Sequence, residues 1–138
     1  MWKSSNTETV DEPAAAIWQK WTEVAKWPEQ DASLVSASIN GPFVVGSTIT
    51  LKPKGSPSVK VTLVEVTPNK SFASVGKMPG AKLHFVHDIL LSDTGTSFTQ
   101  SVSMDGPLAS LWAAMMGKKM ASNLKARMVK MAQLIKQD

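Results

Sequence analysis

After Asp105-Gly106 the chain has one proline, Pro107, and then runs to its end without another. The apolar residues of this segment are Leu108, Leu111, Trp112, Met115, Met116, Met120, Leu124, Met128, Met131, Leu134 and Ile135, mostly at steps of three and four. That spacing is one face of a helix, and a proline in the first turn suits a helix start. The pattern predicts one long helix from Pro107 to about Ile135. Most of its stability must come from packing that face on something broad. At ~100° per residue the apolar stripe drifts between the two halves, as on a curved or kinked helix, and Gly117 is the expected weak point.

The segment before it supplies the surface. Runs around Val35–Ile39, Ser47–Leu51, Val59–Val66, Ser71–Val75, Lys82–Leu91 and Ser97–Met104 read as strands. Asn40-Gly41-Pro42, Pro53–Pro57, Pro68-Asn69, Met78-Pro79-Gly80 and Asp93–Gly95 divide them, which is turn chemistry between β-rich runs. Short turns between consecutive strands imply an antiparallel meander. The last run alternates Phe98, Gln100, Val102 and Met104 with Thr99, Ser101 and Ser103, so one face is covered and the other wet. Upstream lies a first strand near Trp2–Thr9. Asp11-Glu12-Pro13 then precedes Ala14, Ile17, Trp18 and Trp21 at helical spacing. A second short helical turn should carry Val24 and Trp27 and stop at Pro28, because the residue before a proline avoids the helical region.

At 138 residues the chain is the size of one domain, and residues 1–138 are read as a single unit. Hydrophobic residues make up 43% and charged residues 19%, which excludes a disordered or fibrous chain. No apolar run approaches a membrane span. The start, Met1-Trp2-Lys3-Ser4-Ser5, lacks a signal-peptide core, so the expected location is the cytoplasm. Cysteine is absent, which removes disulfides, thiolate metal sites and a cysteine nucleophile. The formal net charge of +4 comes almost entirely from lysines, spread over loops and the terminal helix, and Arg127 is the only arginine. Phosphate and guanine recognition favour Arg, so no nucleic-acid partner is expected and the lysines read as a solubilising surface. Arg127, late in the helix, is expected to flank it in solvent.

In this order of elements the chain resembles the SRPBCC superfamily, which includes START domains, the birch-pollen allergen and polyketide cyclase-like proteins. The matching marks are Trp27-Pro28-Glu29, Gly41-Pro42-Phe43-Val44-Val45-Gly46-Ser47 and Val64-Glu65-Val66-Thr67-Pro68 running to Phe72. His87, Gly95-Thr96-Ser97-Phe98-Thr99 and Gly106-Pro107 complete the set. The resemblance implies an α+β helix-grip fold: a curved antiparallel sheet wrapped around a long C-terminal helix, with two short helices near the N-terminus and a cavity between sheet and helix. One departure is Gln30 before Asp31, where relatives often place a second aromatic. The scaffold hosts carriers, sensors and a few enzymes, so function must be argued from the site.

Candidate ligand-binding residues are Phe85, His87, Phe98, Gln100, Val102, Leu108, Trp112, Met115, Met116 and Met120. Alternation places Phe85 and His87 on one sheet face, and the Phe98 series should share it. Methionine is flexible and polarisable and suits a wall that accepts variable shapes. Core packing accounts equally for Met115, Met116 and Met120, and better for Met128 and Met131. Trp18, Trp21 and Trp27 should close one end of the grip by packing. His84 should face water, and Glu65 and Asp88 should lie on the surface. The glycine- and proline-rich loops Lys52–Ser58 and Lys77–Ala81 would flank the cavity mouth.

The first functional reading is carriage or sensing of a small hydrophobic molecule, such as a lipid, polyketide, isoprenoid or aromatic metabolite. The alternative is a cyclase/aromatase-like or dehydratase-like enzyme with His87 as acid or base, helped by Gln100 or Asp105. A third is a module that binds a protein through an exposed apolar patch. No metal cluster, phosphate loop or nucleophile–base pair is visible in the sequence, and no cofactor is expected.

Overall fold

The computed structural model describes residues 2–55, 57–92 and 95–137. Seven strands, β1 (Trp2–Val10), β2 (Leu34–Ile39), β3 (Thr48–Pro53), β4 (Val59–Thr67), β5 (Ser71–Met78), β6 (Ala81–Ser92) and β7 (Gly95–Asp105), form one antiparallel sheet in the order β1-β7-β6-β5-β4-β3-β2. Strands β2 to β7 are the expected meander, and β1 joins β7, with Trp2 opposite Met104 and Val10 opposite Thr96. The turn expected at Asp93–Gly95 includes Asp93 and Thr94, outside the described residues, as is Ser56 of the Pro53–Pro57 turn. Register shifts at Leu34/Ser36 and Leu63/Glu65 are the irregularities that let a sheet bend.

Helix α1 (Ala14–Thr22) follows β1, a short 3-10 turn spans Val24–Lys26, and α2 covers Trp27–Gln30. Pro28 does not stop this turn as expected; it sits in the first turn of α2, where its missing N–H has no intrahelical acceptor to lose. Helix α3 runs from Ala109 to Gln137 without interruption, as the long closing helix required. Its first intrahelical bond is donated by Trp112 to the Leu108 carbonyl, so Pro107 lies in the turn just before. Gly117 is not a break. A Cβ built there would sit 2.9 Å from Cε2 and Nε1 of Trp2, so the missing side chain makes room for an indole from β1. Helix α3 packs mainly over β1, and less over β7 and β6.

The core lies between sheet and helices. Every second residue of β7, Thr96, Phe98, Gln100, Val102 and Met104, is buried. Leu83, His87 and Ile89 of β6, Phe72 of β5 and Leu63 of β4 continue the same face. From α3 come Leu124, Met128, Met131, Ala132 and Ile135, and from α1 Ile17 and Trp21. This is a helix-grip arrangement. No helix among the described residues is long and apolar enough to cross a membrane.

Candidate functional site

The concave face carries an aromatic cluster at the end closed by α1. Trp21 packs edge-on against Phe72 (5.3 Å between ring centroids), His87 (5.1 Å) and Phe98 (6.4 Å). Trp18 and Phe43 complete the wall around Phe72. His87 lies flat on Phe72, 3.9 Å between ring centroids and 15° from parallel. Strand alternation places His87 here: it pairs with Phe72 on one side and with Gln100 on the other.

A polar chain crosses this apolar interior. Arg127 Nε donates to Gln100 Oε1 at 3.1 Å, and its Nη1 lies 3.5 Å from Asp31 Oδ2. The other Asp31 oxygen accepts the Ser33 backbone N–H at 2.9 Å and the Ser33 hydroxyl. Asp31, directly after α2, is thereby tied to α3 and β7 through one guanidinium. Arg127 does not flank the helix in solvent as the sequence suggested. It lies three residues after Leu124 and four before Met131, both buried, and so shares their face of α3. Burial lowers its pKa, and the charge and hydrogen bond of Asp31 oppose that shift. Asn6 on β1 adds a further polar group, bonded to Glu8 at 3.0 Å and facing Met128 Sδ at 3.5 Å.

Burial, and to a smaller extent the charge of Arg127, holds the His87 imidazole well below the ordinary histidine range, so His87 is neutral near pH 7. Among the described residues, His87 Nδ1 and Trp21 Nε1 are buried without a hydrogen-bond partner. Such atoms are rare in folded proteins, and each calls for an explanation.

The expected site residues fall into three groups. Phe98, Gln100, Val102 and His87 are buried on the concave face, and Phe85, Trp112, Met116 and Met120 are half-buried. Leu108 and Met115 point outward. Met115 is two positions before the buried Gly117, about 200° around the helix, so it is on the opposite side. The Trp112 indole N–H is held by the Pro79 carbonyl at 2.8 Å. Trp27 donates likewise to the Trp21 carbonyl. Two open depressions lie on the outer surface. One runs along α3 between Ala121 and Gln133, and one lies beside the β5–β6 turn and Asp105–Pro107. Neither is lined by the residues expected to form the cavity wall. His84, expected in water, is partly exposed and bonded to Asp105 at 2.7 Å. That pairing places Asp105 with His84 rather than with His87. Asp88 is exposed, and Glu65 accepts from Thr67 and Ser71. Among the described residues no group of three or more His, Cys, Asp or Glu could hold a metal ion.

A family model described as polyketide cyclase / dehydrase and lipid transport matches residues 1–136. No curated protein matches the sequence. Among solved structures, protein MLL2253 from Mesorhizobium loti superposes with a TM-score of 0.78 at 13% identity, over 99% of this chain and 98% of that one. A hypothetical protein, jhp0584 from Helicobacter pylori, gives 0.80 at 13% identity, over 96% and 87%. The di-domain ARO/CYC StfQ of the steffimycin biosynthetic pathway gives 0.79 at 10% identity, over 98% of this chain and 50% of that one, so this chain spans half of that protein's length. At these identities the likeness is one of fold.

Proposed function

Because the chain belongs to the polyketide cyclase/dehydrase and lipid transport family, we propose that it holds a small, largely apolar molecule between sheet and α3, with an oxygen of that molecule against Trp21 Nε1 and His87 Nδ1. The observation that carries this reading is the pair of buried nitrogens without partners, set on rings 5.1 Å apart. Leaving a buried donor or acceptor unpaired costs roughly 1–3 kcal/mol, and a ligand oxygen removes that cost. Apart from Gln100 and Arg127, whose polar groups are already bonded to each other, the expected wall residues are apolar, as an oriented hydrophobic ligand requires. Room is made by side chains that are only half-buried, Phe85, Trp112, Met116 and Met120, of which the methionines are the most adaptable. Lipids, polyketides, isoprenoids and aromatic metabolites with a hydroxyl or carbonyl group all meet this description.

The test is a pair of probes of nearly equal shape, 2-naphthol and naphthalene, titrated against the protein by tryptophan emission. The reading requires 2-naphthol to bind more tightly, by about tenfold for one hydrogen bond to a buried partner. The preference should shrink in Trp21→Phe and in His87→Phe. Equal affinity for the two probes in the unaltered protein refutes the anchored oxygen.

One observation favours a second reading, cyclase-like or dehydratase-like chemistry at His87. Arg127 is turned inward and bonds Gln100, the β7 residue paired with His87. A cation beside a neutral base can polarise a carbonyl and accept a neighbouring proton. In this reading Gln100 positions the guanidinium and His87 moves the proton.

A further inference from the structure

We propose that the end of the molecule built from the first turns of α3 and the β5–β6 turn docks onto the surface of an anionic lipid bilayer, independently of what the interior holds. Three large apolar side chains stand in water there: Leu108 at 43% exposure, Leu111 at 55% and Met115 at 69%. Leu111 and Met115, four residues apart, share the face of α3 turned away from the sheet, and Leu108 stands in the turn just before the helix, over Gly80. Lys118 and Lys119, both exposed, follow in the next turn. From the other side the β5–β6 turn brings two more exposed cations, Lys77 and Lys82.

Three contacts join the two parts. Leu108 N donates to the Gly80 carbonyl at 2.9 Å. Gly80, at φ +70°, has no Cβ where Leu108 Cγ would lie 2.5 Å away. The Trp112 indole holds Pro79 from the helix side. A shape fixed in this way presents its apolar residues without having to order them first.

Charge is distributed to match. Helix α3 carries Lys118, Lys119, Lys125, Arg127, Lys130 and Lys136 and no acidic residue, although the chain as a whole has 15 basic and 11 acidic residues. The rest of the chain is therefore slightly acidic, and the net positive charge resides on this helix. One acid lies at this end, Asp105, hydrogen-bonded to His84 at 2.7 Å. Exposed apolar side chains with lysines in the next helical turn and beside the adjoining β5–β6 turn suit the boundary between headgroups and acyl chains, with lysines on lipid phosphates and carboxylates and the apolar tip below them. A nucleic acid would leave the apolar tip in water, and the only arginine is turned inward.

The experiment is co-sedimentation of the full chain with vesicles of phosphatidylcholine, and with phosphatidylcholine vesicles that contain phosphatidylserine. The protein should partition about tenfold or more in favour of the anionic vesicles at low salt, and lose that preference at high salt. Lys118→Glu with Lys119→Glu should abolish the preference, while Leu111→Ser with Met115→Ser should weaken binding to both vesicle types. All four positions are exposed, and unchanged thermal melting of the variants confirms that they fold. Equal partition to both vesicle types overturns the proposal, as does full binding by the charge-reversed variant. So does equally tight binding to polyglutamate or RNA, which would show an anion site without a membrane role.

Discussion

Arg127 on α3 and Asp31 at the end of α2 face each other 3.5 Å apart, with the Asp31 side chain only 9% exposed and the Arg127 side chain 24% exposed. Through Gln100 the same guanidinium reaches β7, so one ion pair fastens both the N-terminal helices and the sheet to the closing helix.

Removing one partner of such a pair strands the other. Arg127→Met leaves a buried carboxylate unpaired and should cost roughly 3 kcal/mol, the lower end for a buried pair because one side chain is partly in water. Arg127→Met with Asp31→Asn should recover part of that loss. Urea unfolding of the two variants checks this, and an equal midpoint for Arg127→Met and the unaltered protein would show that the pair contributes nothing.

His87 makes stability depend on pH with a fixed sign. The unfolded imidazole takes up a proton near pH ~6.5, while the folded one stays neutral to well below that. Between those two points the unfolded state binds the extra proton. Stability therefore falls as pH drops through that window and levels off below the folded pKa, with a slope of at most about 1.4 kcal/mol per pH unit. His87→Phe keeps the stack on Phe72 and removes the titration. Its urea midpoint should fall less between pH ~7 and pH ~5 than that of the unaltered protein, and parallel curves would show that His87 is not held neutral.

Gly117 tests the contact between β1 and the closing helix. In an exposed helix Gly→Ala gains about 1 kcal/mol, but here the new Cβ meets Trp2 at 2.9 Å. Gly117→Ala should bring no net stabilisation and should shift Trp2 emission. In a Trp2→Ala background the same change should stabilise by about the propensity difference. Identical effects in both backgrounds would contradict the contact.

Much of the fold was legible because periodicity is set by burial. The threefold and fourfold steps from Leu108 to Ile135 gave α3, and the alternation of Phe98, Gln100, Val102 and Met104 gave the buried face of β7. Pro28 misled because a proline reads the same whether it ends one turn or begins the next. Met115 misled because a stripe that drifts includes residues on both flanks, and only packing shows which flank is covered. Arg127 was missed although its spacing from Leu124 and Met131 placed it on the inner face. A lone arginine among lysines reads as solvent-exposed until its partner, Asp31, is seen nearly a hundred positions earlier in the chain. The unpartnered nitrogens of Trp21 and His87 had no sequence signal, since only tertiary packing decides which donors are left without acceptors.

His87→Gln separates the two functional readings. If His87 only orients a ligand, glutamine keeps a hydrogen-bonding edge, and binding of 2-naphthol should weaken by ~1–2 kcal/mol. If His87 transfers a proton, any turnover of a ligand carried by the unaltered protein should drop ~10²-fold or more while binding persists. The first pattern is expected, because Asp105 is paired with His84 and Asp31 with Arg127, which leaves no second acid or base beside His87 among the described residues.

The most direct measurement is native mass spectrometry of freshly purified protein, before and after incubation with 2-naphthol, for the unaltered chain and Met116→Glu, which places a charge on the half-buried wall. The expected result is a one-to-one complex with a small compound, co-purified or added, that is released intact on denaturation and is missing from the Met116→Glu variant although that variant melts cooperatively. A ligand-free spectrum under all conditions, or equal loading of the two proteins, would contradict an interior binding site.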